Sequence, residues 1–381
     1  MFNNTILKFR DEIMRLSDEK KLKILLALGS CVIVAIILLF IFGFDAEIKK
    51  DKPKVGFIIL GDIHQKGWNA SHYNGIKSAC DEFNLELLVR DKVPENSGKC
   101  PQAVEELIAE GAKIIFLASF DYTPEVRPLI KKYSSIAFID MAIQIEEKNL
   151  TNCFSKMYQG RYLSGILAGL RTKTNAIGYV AAIPNSEVCR GINSFARGVQ
   201  KVNPNAKIFV MWTGDWEDPE KEKINAERLI KERNVDFLNY HQDGSTVGDV
   251  ADSFGIDFVG YNALLEGYSE HYLTSIICHW DVFYKDILQR YLKDELSSMR
   301  NHWVGVKQEV ISLSDYSDLV DEETQNVIAV AYKDLMDGLV IFADEIYDNQ
   351  GNLRCTKDKV ISDMELLRNI DWLIRGVEVL E

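Results

Sequence analysis

The sequence predicts an α/β protein of two lobes, each a parallel sheet sandwiched by helices in the Rossmann manner, with an N-terminal transmembrane helix. Three observations lead there. The chain has 381 residues, which suits two lobes of roughly 150 residues plus an appendage better than one domain. From Val55 onward short apolar runs alternate with amphipathic stretches, the pattern of repeated strand–helix units. Ile24 to Phe44 is apolar and uncharged, and its length suits a helix crossing a bilayer.

The span follows Lys20, Lys21 and Lys23 and precedes Lys49, Lys50, Lys52 and Lys54, so charge asymmetry orients it only weakly. Leu28-Gly29-Ser30-Cys31 has the form of a lipoprotein cleavage site, but Val32 to Phe42 stays apolar, which favours an uncleaved anchor. The expected organisation is a short cytoplasmic N-terminus (1–23), the anchor (24–44), a charged linker (45–53) and a ligand-binding region (54–381). Within that region the first lobe takes 54–171 and 263–303, and the second takes 172–262 and 304–381.

Strands are expected at 55–60, 85–89, 113–118 and 136–140, and in a second set at 177–182, 207–212, 237–240 and 258–261. In open α/β sheets ligands lie beyond the carboxyl ends of strands, so the segments after Leu60, Ala118, Trp212 and Tyr240 are the places to search. After the first strand, Gly61-Asp62-Ile63-His64-Gln65-Lys66-Gly67-Trp68-Asn69 delivers a Trp and an Asn to a helix start. After the strand ending at Trp212, Thr213-Gly214-Asp215-Trp216-Glu217-Asp218-Pro219 delivers a second Trp.

Two indoles on opposite lobes would clamp a flat heteroaromatic ring, each stacked base contributing roughly 1–3 kcal/mol. Asn69 can donate and accept hydrogen bonds at once, and Asp62, Asp140 and Asp243 can accept N–H or hydroxyl protons. His241, in the polar run Tyr240-His241-Gln242-Asp243, and Ser119 and Asn262 at other strand ends complete the candidate set. A formal charge of −13 disfavours nucleic acid, which is held by clustered cations. Seven cysteines and six histidines show no metal-ligand spacing, so neither a metal nor another cofactor is expected.

At these residues the chain resembles the basic membrane protein (BMP/Med) family of ABC-transporter substrate-binding proteins. The likeness spans about Lys54 to Val379 and includes Gly61-Asp62, Gly67-Trp68-Asn69 and Tyr158-Gln159-Gly160-Arg161-Tyr162-Leu163-Ser164-Gly165. It continues through Glu187-Val188-Cys189-Arg190-Gly191-Ile192-Asn193-Ser194-Phe195-Ala196-Arg197-Gly198, Trp216, Asp218-Pro219 and His241-Gln242-Asp243, ending in Trp372-Leu373-Ile374-Arg375-Gly376-Val377.

The resemblance implies a type I periplasmic-binding-protein fold without enzymatic activity, facing outward from the cell membrane. It also implies a purine base or nucleoside as ligand, an ABC permease as partner, and Trp68 and Trp216 as the residues that sandwich the base. Nucleoside binders of the family usually carry an Asp after the Val259-Gly260 strand and a Lys in the Thr274-Ser275 segment. This chain has Asn262 and Cys278 nearby, so a free base such as adenine stands beside a nucleoside as the expected ligand. Hinges are expected near Leu170, Asn262 and Trp303. Two other function classes compete: a sensory ectodomain, and a nucleoside hydrolase using Asp62 or Asp243 with His64 or His241.

Overall fold

The structure, a computed structural model, describes residues 14–43, 52–64, 67–141, 145–262, 264–296 and 301–381. The chain separates into two units, Met1–Lys52 and Pro53–Glu381. In the first, Asp18–Gly43 forms a helix of 26 residues. Among the described residues no helix is long and apolar enough to cross a membrane. Of the expected span, Phe44 and the side chains of Ile24, Leu25, Leu28, Cys31 and residues 35 to 43 lie outside what the structure describes.

The second unit carries fifteen described strands. In chain order they are β1 (Lys54–Ile59), β2 (Glu86–Arg90), β3 (Ala112–Ala118), β4 (Ala137–Asp140), β5 (Leu150–Ser155), β6 (Ala176–Ala181), β7 (Lys207–Trp212) and β8 (Phe237–His241). Then follow β9 (Asp257–Asn262), β10 (Tyr272–Cys278), β11 (Asn301–Val304), β12 (Ile311–Leu313), β13 (Ile346–Tyr347), β14 (Leu353–Cys355) and β15 (Val377–Leu380). The first sheet has the order β2-β1-β3-β4-β5-β11 and is parallel throughout. The second has the order β15-β7-β6-β8-β9-β10-β12, parallel except for β12; β13 and β14 form a small separate hairpin.

The two-lobe α/β architecture thus repeats one strand order. Each lobe begins with a central strand, pairs the next strand on one side and continues on the other. The strand order therefore reverses between β1 and β3 and again between β6 and β8, which opens a crevice at the carboxyl end of each sheet. The central strands are apolar runs because helices cover both faces: Val55 to Ile59 and all of β8 and β9 are buried.

The helices Met157–Arg171 and Ser186–Val202 pack closely enough that a Cβ on Gly165 would run into the Phe195 carbonyl, and one on Gly198 into the Tyr162 carbonyl. Reciprocal glycine-to-backbone contact accounts for two glycines of the long motifs noted in the sequence, and it joins Met157–Arg171 to the second lobe. That places the first crossing between lobes at Ser155–Met157, not near Leu170. The strand β10 pairs with β9, so the chain stays in the second lobe past Asn262 and returns at Cys278–Trp280. There the helix Trp280–Leu292 packs against Trp68–Glu82.

The third crossing follows β11, one or two residues from the expected position at Trp303. The crossings are tied together: Lys156 N–H donates to Val304 O at 2.5 Å and His279 N–H to Val310 O at 2.8 Å. Trp303 Nε1 donates to Ser155 O at 3.1 Å and Val306 N–H to Gln159 Oε1 at 2.8 Å.

Candidate functional site

The carboxyl ends of both sheets converge on one cavity of about 400 Å³, solvent at its mouth included. From the first lobe it is lined by Leu60 at the end of β1, Trp68, Ser119 and Phe120 after β3, Met141 after β4 and Phe154 on β5. From the second lobe come Glu187, Trp216, His241, Asp243 and Tyr261. Of the nine residues singled out in the sequence, the structure brings Trp68, Ser119, Trp216, His241 and Asp243 together here.

Trp68 opens the helix Trp68–Glu82 and is braced from behind by an aromatic column. His72 lies 4.0 Å from it between ring centres, and Trp280 lies 3.6 Å from His72. Burial holds the His72 imidazole well below its usual pKa, and its Nδ1 lies 2.5 Å from the Tyr284 hydroxyl. Trp216 is set by the turn before the helix Pro219–Arg233, where Asp218 caps the first turn by accepting from Lys221 N–H at 3.0 Å. The Trp216 carbonyl accepts from Asp243 N–H at 2.9 Å, and its ring lies 6.1 Å from that of His241.

The lobes touch across this cavity. Gly67 has a φ of 114°, and its Cα abuts the Asp243 carbonyl oxygen closely enough that any Cβ would collide with it. Nearby, Ser71 Oγ of the first lobe donates to Asn262 O at 2.9 Å.

Four of the nine lie elsewhere. Asp62 points to solvent, paired with Lys92 at 2.8 Å and accepting from His64 N–H at 2.9 Å. Asn69 is buried and turned back on its own loop, where its Oδ1 accepts from Gly61 N–H at 3.0 Å. Asp140 is wholly buried at the end of β4, and its neighbour Met141 reaches the cavity instead. Asn262 lines a separate open groove, and its Oδ1 accepts from Trp280 Nε1 at 3.0 Å. Among the described residues no group of three or more His, Cys, Asp or Glu could hold a metal ion.

Sequence reasoning missed Glu187 and Glu95. Glu187 sits in the first turn of Ser186–Val202, where Asn185 caps the helix by accepting from Val188 N–H at 2.9 Å. Burial pushes the Glu187 carboxyl up to about 7, against the smaller opposing pull of Arg190 and Arg161. Glu95 lies a step behind the wall, accepting from Ser119 Oγ at 2.6 Å and Asp121 N–H at 2.7 Å, and burial raises it as well. Asp243 is held well above the usual carboxylate range by burial first, then by Glu217, Glu187, Glu95 and Glu222. His241 goes the other way: burial, then Arg161 and Arg190, keep it neutral. The Tyr261 hydroxyl lies 3.1 Å from its Nε2. The strand-end rule would have found Tyr261, whereas Glu187 follows a strand end, at Ala181, that carries no aromatic flag in the sequence.

The raised Glu187 carboxyl has a consequence for stability. With an ordinary value of 4.5 and a folded value of about 7, the folded chain binds more protons than the unfolded chain in that interval. Stability therefore declines as pH rises from 4.5 through 7, by at most about 3 kcal/mol from this group. Glu187→Gln is expected to melt above the parent at pH 8, with the gap closing toward pH 4.5. Parallel melting curves at the two pH values check this, and an unchanged gap would refute it.

A family model described as ABC transporter substrate-binding protein PnrA-like, named Bmp, matches residues 52–345. A purine-binding protein of Brucella abortus (strain 2308) is 28% identical over 294 residues, covering 76% of this chain and 83% of that protein. A Haloferax volcanii protein whose name assigns it to glucose binding in an ABC transporter is 27% identical, covering 84% of this chain and 79% of that one. Among solved structures, an ABC transporter solute-binding protein from Aeropyrum pernix K1 superposes with a TM-score of 0.64 at 15% identity, covering 75% of this chain and 92% of that one. A family match over most of the two-lobed unit, with the same fold in solved solute-binding proteins, means that this chain belongs to the Bmp family of ABC-transporter substrate-binding proteins.

Proposed function

We propose that the chain is an extracytoplasmic solute-binding protein that captures a purine base or nucleoside between its lobes and passes it to an ABC importer. One observation carries the reading: two tryptophans from opposite lobes line a single cavity together with buried carboxyls. Flat aromatic walls favour a planar ring by stacking, and a few placed polar groups fix its orientation. The purine-binding relative supports the ligand class. Closure on the ligand would present both lobes to a permease, the ligand shifting the population only as far as it prefers the closed form. The apolar, uncharged run from Ile24 to Phe44 supports an anchor that holds the binding region at the outer face of the membrane.

Sugars also stack on indole and bond to carboxylates, so glucose is the competitor to test. Purified full-length chain is expected to release a purine compound on denaturation, identified by mass spectrometry, and to bind that compound on calorimetric titration. Recovery of glucose in its place, with heats of binding for glucose and none for purines, would overturn the ligand class and leave the transport role standing.

A further inference from the structure

Among the described residues two hydroxyls line the cavity, those of Ser119 and Tyr261, and their surroundings fix where each hydrogen goes. Ser119 Oγ donates to Glu95 at 2.6 Å, so toward a ligand it can only accept. The Tyr261 hydrogen depends on His241, whose Nε2 lies 3.1 Å from the phenol oxygen. If Nε2 carries the imidazole proton, the phenol accepts it and keeps its own hydrogen for another partner. If Nε2 is bare, the phenol hydrogen is used there.

The packing of His241 decides between the two. The residue is 3% exposed and its imidazole is neutral, so it carries one proton. Its Nδ1 lies against the helix Ser186–Val202 at Gly191, where a Cβ would come within 3.4 Å of it, and it has no hydrogen-bond partner among the described residues. A proton on Nδ1 would be a buried donor with nothing to receive it, and such orphaned N–H groups are costly and rare. Nε2 faces two oxygens instead, the Tyr261 hydroxyl and, at 3.8 Å, Glu187 Oε1. A proton there meets partial negative charge from both, whereas a bare lone pair would face the Glu187 oxygen with like charge. The proton therefore sits on Nε2, and only the Nδ1 lone pair goes unmet.

We propose that Tyr261 is a specificity-determining residue of the cleft, its hydroxyl accepting from His241 Nε2 and giving its own hydrogen to an acceptor on the ligand, a ring nitrogen or a carbonyl oxygen. The proposal rests on the purine reading above and adds to it a fixed point of recognition. The Glu187 and Asp243 carboxyls donate when protonated and accept when ionised, so they suit either kind of ring edge, whereas the Tyr261 hydrogen has one direction. Arg161, from the helix Met157–Arg171, strengthens that donor. Its guanidinium lies 3.7 Å from the centre of the Tyr261 ring and is held in place by Nη1, which donates to Asn239 Oδ1 at 3.0 Å. A cation on the face of a phenol is attracted by the ring's electrons and draws density away from the oxygen, which makes the O–H the better donor. Burial pushes the phenol pKa up, more strongly than the Arg161 charge pulls it down, so the hydroxyl keeps its hydrogen at neutral pH.

Two measurements on the full-length chain test this. Heteronuclear NMR of the imidazole nitrogens, with His241 assigned by the signal that His241→Gln removes, is expected to show the Nε2–H tautomer in the ligand-free chain. The Nδ1–H tautomer overturns the proposal whatever the ligand is. Calorimetric titration with adenine, hypoxanthine and inosine then compares the unaltered chain with Tyr261→Phe, which keeps the ring beneath Arg161 and removes only the hydroxyl. Each of the three that binds the unaltered chain is expected to bind the variant about fivefold to a hundredfold more weakly, with a single cooperative melting transition showing that the variant is folded. Equal affinities in the two chains overturn the proposal and leave the purine reading standing. Failure of all three compounds to bind the unaltered chain overturns the purine reading, and the acceptor assigned to Tyr261 goes with it.

Discussion

Replacing Trp68 and Trp216 together by alanine is expected to weaken purine binding by about 2–6 kcal/mol, the sum of two stacking contributions of roughly 1–3 kcal/mol each. Even the low end is a loss of some thirtyfold in affinity. The single variants separate binding from folding. Trp216 is only half-buried on its turn, so Trp216→Ala should leave the melting temperature nearly unchanged while affinity falls. Trp68 belongs to the column with His72 and Trp280, so Trp68→Ala should cost stability as well. Calorimetry beside thermal melts measures both. Unchanged affinity in Trp216→Ala would remove the two-walled sandwich from the site.

The second large effect is expected at Gly67. Its backbone adopts a φ of 114°, and its missing side chain is what lets it abut the Asp243 carbonyl of the other lobe. Valine there would be driven into a backbone atom that no rotamer change can move aside. The strain of the backbone conformation acts whether the lobes are apart or together, but the collision acts only when they meet. Overpacking of this kind typically costs about 1–3 kcal/mol, so ligand affinity should fall about fivefold to a hundredfold while each lobe keeps its secondary structure. Small-angle scattering with saturating ligand should show Gly67→Val more extended than the unaltered chain. Equal compaction in the two would mean that closure does not need this contact.

How much of this was legible in the sequence follows from the kind of residue at each place. The strands β1, β3, β6 and β8 are buried on both faces, and their apolar runs announce them. The strand β5 reads Leu-Thr-Asn-Cys-Phe-Ser with every residue buried; its polar members break the apolar run, and so it escaped notice. With it went the first crossing between lobes. The strand β10 was missed in the same way, and the second crossing moved from Asn262 to Cys278–Trp280.

Within the site, the tryptophans were legible because a large aromatic at a strand end needs a partner. Asp62 and Asn69 shared that loop, but local chemistry claimed them first, an ion pair with Lys92 for one and the Gly61 amide for the other. Glu187 escaped because its character depends on burial and on two arginines, of which Arg161 lies on another helix, a relation that no local spacing records.

The six described free cysteines, Cys80, Cys100, Cys153, Cys189, Cys278 and Cys355, are all buried, and burial raises every one of their thiols, Cys80 and Cys189 to about 12. Thiolate is the species that attacks disulfides and takes up oxidants, so almost none exists at neutral pH while the fold is intact. These six thiols can sit in an oxidising exterior without cross-linking. They become reactive only when the fold opens, so their uptake of a maleimide would count unfolding events.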